Sequence, residues 1–244
     1  CFSTPFDESS VDFLESLEVP AFKIASFENT DLPLIRRVAR TGKPLIISTG
    51  MASLAELDAS VTAARDAGCR QLILLKCTSA YPAPASEANL RTLPHLRDLF
   101  GVQAGISDHT QGLGVSLAAV ALGAVFIERH FTIARSDGGL DAAFSLEPAE
   151  FRQLVEESER IWQAQGEVRY GAHGRERDSL VFRRSLYTVR DVKRGDIVSE
   201  KNVRAIRPGL GLPPGRFAEV KGYTFRADAP VGTPLSDELL QSPG

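Results

Sequence analysis

Short apolar runs recur along the chain at intervals of 20 to 30 residues: "CFST" (1–4), "AFKIAS" (21–26), "PLIIST" (44–49), "QLILLKCT" (71–78), "GVQAGISD" (101–108) and "AVFIERHF" (124–131). Stretches with helical periodicity separate them, at 8–18, 32–41, 53–67, 87–100 and 112–123. The clearest is "SLAELDASVTAARDAG". Ser53 opens it with Glu56 three residues later, a capping-box pattern, and Gly68 closes it. A further helix is predicted over 148–166, with Pro148 in its first turn and apolar residues at a 3.6 period. Regular strand–helix alternation predicts a parallel sheet, and runs without polar interruption predict strands covered on both faces.

Polar residues close nearly every run: Ser3-Thr4, Lys23 with Ser26, Ser48-Thr49, Thr78-Ser79, Ser107 with His109, and Glu128 with His130. Chemistry shared around all the strand ends is the habit of a (β/α)8 TIM barrel rather than an open doubly wound sheet. Residues 1–166 supply the last six βα units of such a barrel. The expectation is therefore an N-terminally truncated chain, opening in mid-strand at Cys1 with two units upstream. Residues 167–179 are charged and glycine-rich and read as a linker. From 180 to 244 the texture changes to short strands and many Gly and Pro, with two similar turns, "VKRGDIVS" and "APVGTPLS", which predicts a separate small domain.

Composition narrows the function classes. Hydrophobic residues make up 43% and charged residues 24%, with a net charge of −3. That balance gives no basic surplus for a nucleic-acid backbone. No apolar run approaches the roughly 18 residues of a membrane span. Three cysteines, Cys1, Cys69 and Cys77, do not form a disulfide framework, and the reading is a cytoplasmic protein.

The candidate chemistry lies at the strand ends. Lys23 among the hydroxyls of Thr4, Ser26, Ser48, Ser79 and Ser107 suits an anion, a point charge surrounded by neutral donors. The alternative is a lysine that merely lays its stem along apolar surface. His109 and His130 are either ligands of one divalent cation or two buried imidazoles with ordinary partners. Glu28 and Asp141 suit sugar hydroxyls or proton transfer. Tyr81 before Pro82 faces the ligand or packs in a turn. Asp108 either orients an imidazole or caps the next helix, and the cap is the favoured reading. Arg207 sits on a loop shaped by Pro208 and Gly209.

The motifs "STPFD", "FKIAS", "ISTGM", "CTSAYP", "SDHT", "IERHF" and "SLEP", followed by "RPGLG", resemble the sialic acid synthase family along essentially the whole chain. "GGLDAAFSLEPAEF", "GEVRYG", "FRRSLY" and "IRPGLGLPP" are most similar to its pseudaminic acid branch. The resemblance implies a barrel followed by a small antifreeze-like (SAF) domain. It also implies a metal-dependent condensation of phosphoenolpyruvate with an acylated amino sugar, 2,4-diacetamido-2,4,6-trideoxy-L-altrose, with release of phosphate by C–O cleavage. The neuraminate and legionaminate syntheses are the alternatives, and a non-catalytic carbohydrate-binding module is the remaining one.

The implied roles are residue by residue. His109 and His130 bind the cation, Mn2+ first and Mg2+ or Co2+ next. Thr4, Lys23, Ser26, Ser48, Ser79 and Ser107 hold phosphoenolpyruvate. Glu28, Tyr81 and Asp141 face the sugar, with Glu28 grouped with the two histidines as catalytic. Arg207 is delivered into a partner's barrel by a domain-swapped homodimer. Ser79 departs from the neuraminate branch, where asparagine is usual. A chain beginning at Cys1 would lack the groups that the first two strands carry, and is expected to be inactive alone.

Overall fold

Five of the six apolar runs form one all-parallel sheet in sequential order. The elements are α1 (Glu8–Ser16), β1 (Phe22–Ile24), α2 (Leu32–Ala39), β2 (Leu45–Ser48), α3 (Leu54–Asp66), β3 (Leu72–Cys77), α4 (Thr92–Phe100), β4 (Gln103–Asp108), α5 (Gly114–Ala121), β5 (Ile127–Arg129) and α6 (Pro148–Gln165). This computed structural model describes residues 1–243. The first run, predicted as a strand, makes a single parallel bridge from Ser3 to Phe22. Pro5 follows and brings no amide hydrogen to extend the ladder.

The strand register divides each strand into an outer and an inner set. Phe22, Ile24, Leu45, Ile47, Leu72 and Leu74 pack into one buried cluster with Val11, Leu34, Ile35, Val38, Leu57 and Val61 of the helices. The residues between them point the other way. Lys23 pairs in register with Ile46, Ser48 with Leu75, Cys77 with Ser107, and Ser107 with Glu128. The inner face is thus apolar low in the sheet and polar at the C-terminal ends of the strands.

That face is concave. Lys23 on β1 and Glu128 on β5 stand four strands apart, about 19 Å on a flat sheet at the usual strand spacing. Their Nζ and Oε2 atoms are 3.5 Å apart. Only a sheet curled into a barrel wall brings them together, so the barrel reading holds against the open sheet. At the far edge, Phe131 and Leu146 add one more parallel bridge.

The helix termini follow their capping chemistry. Ser53 and Glu56 complete the predicted capping box, and Glu147 with Glu150 makes a second one around Pro148. α4 starts five residues later than the predicted 87. Asn89 takes a left-handed conformation (φ 45°), which a continuous right-handed helix cannot contain. In α6 the apolar stripe is less buried than its periodicity predicts. Leu154 is enclosed, whereas Val155 and Trp162 are exposed and line a cavity of about 540 Å³ with Phe126, Arg129 and Phe151.

A second compact unit begins at Val168. 3-10 turns run from Gly174 to Phe182, through the end of the segment read as a linker. Two small antiparallel pairs follow. They are β6 (Ser185–Thr188) with β7 (Val203–Ile206), and β8 (Thr224–Phe225) with β9 (Leu240–Gln241), with the one-turn α7 (Phe217–Val220) between β7 and β8. Leu186, Val192, Val198, Val203, Val220, Phe225 and Leu235 form its own core. The two similar turns bridge each other between Val192 and Ala229.

Gly105 marks a close approach of strands in the barrel interior. A Cβ there would run into the Phe126 carbonyl and come within 2.8 Å of the Leu75 and Phe126 side chains. Overpacking of this kind costs about 1–3 kcal/mol. Gly105→Ala is expected to lower the unfolding free energy by that amount, read as a fall in the urea midpoint at an unchanged m-value. An unchanged midpoint would show that β3, β4 and β5 are not packed this closely.

Candidate functional site

The site is assembled from the inner-facing strand ends and the turns that follow them. On the β1 side, Lys23 is 5% exposed, donates from Nζ to the Ile24 carbonyl at 3.1 Å, and faces Glu128. Burial pulls its pKa down and the Glu128 carboxylate opposes that pull. The other oxygen of Glu128 accepts from Ser107 Oγ at 2.6 Å. Glu128 therefore ties the lysine to the β4 hydroxyl. The sequence marked it as a polar strand end without giving it a task.

Ser26 and Ser48 are buried beside this pair, and Ser79 is partly buried. Ser26 Oγ accepts from the Gly50 amide at 3.1 Å. Asn29, which sequence reasoning missed, donates from Nδ2 to the Ser48 and Gly50 carbonyls at 3.2 and 3.0 Å. This buried amide holds the end of β2 against the turn after β1. Gly50 is required by space. A Cβ there would collide with Ser79 Oγ and lie 2.7 Å from Ser26 Oγ, so glycine lets three strand ends converge. Ser48 Oγ and Glu28 Oε2 are buried with no hydrogen-bond partner among the described residues. Buried polar atoms are normally satisfied, so two such atoms in one concavity fit a polar ligand. Thr4 stands next to the Ser3 bridge and is partly buried.

On the other side, His109 and His130 sit side by side, ring centres 5.2 Å apart and planes at 64°. His109 Nδ1 donates to the Thr78 carbonyl at 3.0 Å, which leaves Nε2 as the nitrogen that could hold a cation. Burial lowers the basicity of His109, but contact with the Cys77 sulfur and the Thr78 carbonyl outweighs it, and the net shift is upward. His130 is shifted down by burial and by its neighbour His109, with Asp141 Oδ2 3.3 Å from its Nδ1 in opposition. Cys77 lies 3.9 Å from His109 Nδ1. Burial would raise its pKa, but hydrogen bonding to His109 and Ser26 brings it to about 7. Neither thiol nor phenylalanine was assigned here from sequence, yet Phe144 forms the wall, 5.0 Å from His130 and 5.9 Å from Tyr81. Tyr81 stacks obliquely on His109 at 4.3 Å, and burial raises its pKa, which keeps the phenol a donor.

The donor set fits a divalent cation. Two imidazoles bonded to one ion at about 2.1 Å place their ring centres roughly 4.6–5.3 Å apart, which brackets the separation observed. Among the described residues no group of three or more His, Cys, Asp or Glu converges. A cation held by this pair would complete its coordination with ligand oxygens, as a substrate-binding ion does rather than a structural one.

Asp108 behaves otherwise than the sequence reading held. It neither touches an imidazole nor caps α5, whose N-cap has no side-chain bond. It is spent on a buried ion pair with Arg129. Arg207, exposed and joined to Pro208 by a cis peptide, belongs to the second unit.

Residues 1–170 match the NeuB family and residues 183–241 the SAF domain. An N,N'-diacetyllegionaminic acid synthase of Campylobacter jejuni is 40% identical over 223 residues, covering 90% of this chain and 67% of that protein. A pseudaminic acid synthase of Helicobacter pylori is 39% identical over 241 residues, covering 98% and 71%. The crystal structure of an N-acetylneuraminic acid synthetase from Leptospira borgpetersenii superposes with a TM-score of 0.68 at 34% identity, over 72% of this chain and 62% of the other. No helix among the described residues is long and apolar enough to cross a membrane. With a NeuB match over most of its length and relatives 39–40% identical, the chain belongs to the NeuB family of sugar-acid synthases and carries a SAF domain after the barrel.

Proposed function

We propose that this protein condenses phosphoenolpyruvate with 2,4-diacetamido-2,4,6-trideoxy-L-altrose to give pseudaminic acid and phosphate. One observation carries the proposal. A buried lysine and a set of hydroxyls open onto the same concavity as two imidazoles whose ring centres are 5.2 Å apart. An anionic enol ester and a carbonyl compound can therefore be held side by side.

Lys23 binds the anion, with Ser26, Ser48, Ser79, Ser107 and Thr4 as neutral donors around it. Glu128 holds the lysine ammonium in place until the anion arrives. His109 and His130 would hold a divalent cation, Mn2+ by preference, which would supply Lewis-acid polarisation of the sugar aldehyde. C3 of phosphoenolpyruvate forms the new bond to the aldehyde carbon, and the aldehyde oxygen gains a proton. C2 becomes electron-poor and takes up water, and the C2–O bond to phosphate then breaks to leave the ketone. Glu28, with one oxygen free of partners, accepts a proton or a sugar hydroxyl. Tyr81 and Asp141 close on the sugar. Holding both substrates in register removes up to about 7–11 kcal/mol of entropic barrier. In a homodimer that exchanges its SAF domains, Arg207 of one protomer would add a second positive charge to the partner's site.

A legionaminic precursor is the second reading, because the Campylobacter relative named for that product is as similar as the pseudaminic ones. Phosphate release by the full-length protein is the test, with phosphoenolpyruvate, Mn2+ and each of three sugars. The altrose is expected to give at least tenfold higher kcat/KM than the legionaminic precursor or N-acetylmannosamine. Preference for either of the others would reassign the product, and no release with any would end the synthase reading.

Gly50→Ala tests the anion pocket. The added methyl displaces the Ser26 and Ser79 hydroxyls, and losing a hydrogen bond to a charged group costs about 1.5–3 kcal/mol. KM for phosphoenolpyruvate should rise about tenfold or more while the KM for the sugar stays within twofold. An unchanged phosphoenolpyruvate KM would place the anion elsewhere.

A further inference from the structure

The two histidines are each preceded by a residue that the proposed reaction does not use, and those two residues are bonded to each other. Asp108 and Arg129 are register partners across β4 and β5. Arg129 Nη1 lies 2.6 Å from Asp108 Oδ2, and both side chains are 1% exposed. Side chains alternate along a strand, so this pair lies on the outer face while His109 and His130, one residue further on, lie on the inner one. The remaining contacts converge on the same turn. Asp108 Oδ1 accepts from the Thr110 amide at 2.8 Å, and Asp108 Oδ2 accepts from Ser116 Oγ of α5 at 2.5 Å. Arg129 Nη2 donates to the Thr110 carbonyl at 2.7 Å.

The backbone of His109 is therefore fixed on both sides, by the Asp108 side chain before it and by the doubly held Thr110 after it. The backbone of His130 is fixed by Arg129. We infer that Asp108 and Arg129, seated by Ser116, are positioning residues that set the separation of the two imidazoles from behind the barrel wall. A buried ion pair is a poor source of net stability, since desolvation offsets most of its attraction. Its use here is directional: the guanidinium bonds Asp108 Oδ2 through Nη1 and the Thr110 carbonyl through Nη2, and so ties the two adjacent strand ends to each other. Metal affinity is sensitive to that offset, because both nitrogens must reach one ion at bonding distance. Loss of outer partners that bond the ligands directly weakens metal binding about 10–100-fold, and this pair acts on the same ligands through their backbone.

The inference rests on the reading of His109 and His130 as cation ligands, and the experiment separates the two claims. Mn2+ binding to the full-length protein is titrated by EPR, without substrate, for the wild type, Asp108→Asn, Ser116→Ala and His109→Ala. Phosphoenolpyruvate binding in EDTA is measured alongside by calorimetry. Asp108→Asn should weaken Mn2+ at least tenfold, and Ser116→Ala, which removes one bond and keeps the ion pair, about threefold. Phosphoenolpyruvate affinity should stay within twofold in both, which a general loosening of the barrel would not leave untouched. Should Asp108→Asn not fold, Ser116→Ala decides alone. Loss of Mn2+ binding in His109→Ala, together with wild-type Mn2+ affinity in the folded outer variants, overturns the positioning role. Unchanged Mn2+ affinity in His109→Ala overturns the ligand reading and the inference with it.

Discussion

The pairing of β4 with β5 sets the rest of the site. In this register Ser107 stands beside Glu128 and Asp108 beside Arg129, and the following residues are the two histidines. Because a strand alternates faces, one offset sorts these residues into an inner set that faces the concavity and an outer set that joins the strands. A slip of one residue on either strand would send one histidine into the helix layer and bring an aspartate or arginine into the barrel mouth. The chemistry proposed for the protein depends on that parity more than on any single contact within the concavity.

The curl of the sheet is the second constraint. Lys23 and Glu128 meet only because β1 and β5 bend toward each other, and their contact joins the anion pocket to the cation side. Close approach also needs absent side chains, at Gly105 inside the barrel and at Gly50 where three strand ends crowd together. The hydrophobic helices outside supply the stability, and the interior spends part of it on buried polar groups that a purely apolar barrel would not need.

Much of this was legible in the sequence. The alternation of runs and helices, the capping box at Ser53 and the polar strand ends located the sheet, α3 and most of the residues that line the concavity. The motif resemblance supplied roles that the residues alone left open. What the sequence could not carry was pairing information. Runs such as "LIIS" and "LILLKC" look uniformly apolar, so nothing local says that Ile46 and Leu75 face inward while Ile47 and Leu74 face outward. The same gap hid Glu128, whose partner is four strands away, and misread Asp108, whose partner is 21 residues on. Asn29 looked like a turn residue, and only the fold shows its amide holding two carbonyls of another strand end. The start of α4 was misplaced because the left-handed Asn89 leaves no mark in the hydrophobic pattern.

The most direct measurement of the central claim is anomalous scattering at the manganese edge from crystals of the full-length protein soaked with Mn2+ and phosphoenolpyruvate. The account predicts one strong peak bonded to a ring nitrogen of both His109 and His130 at roughly 2.1–2.3 Å, on the same side of the sheet as Lys23 and opposite Asp108 and Arg129. A peak bonded to only one of the two rings, or none in the barrel mouth, would contradict it.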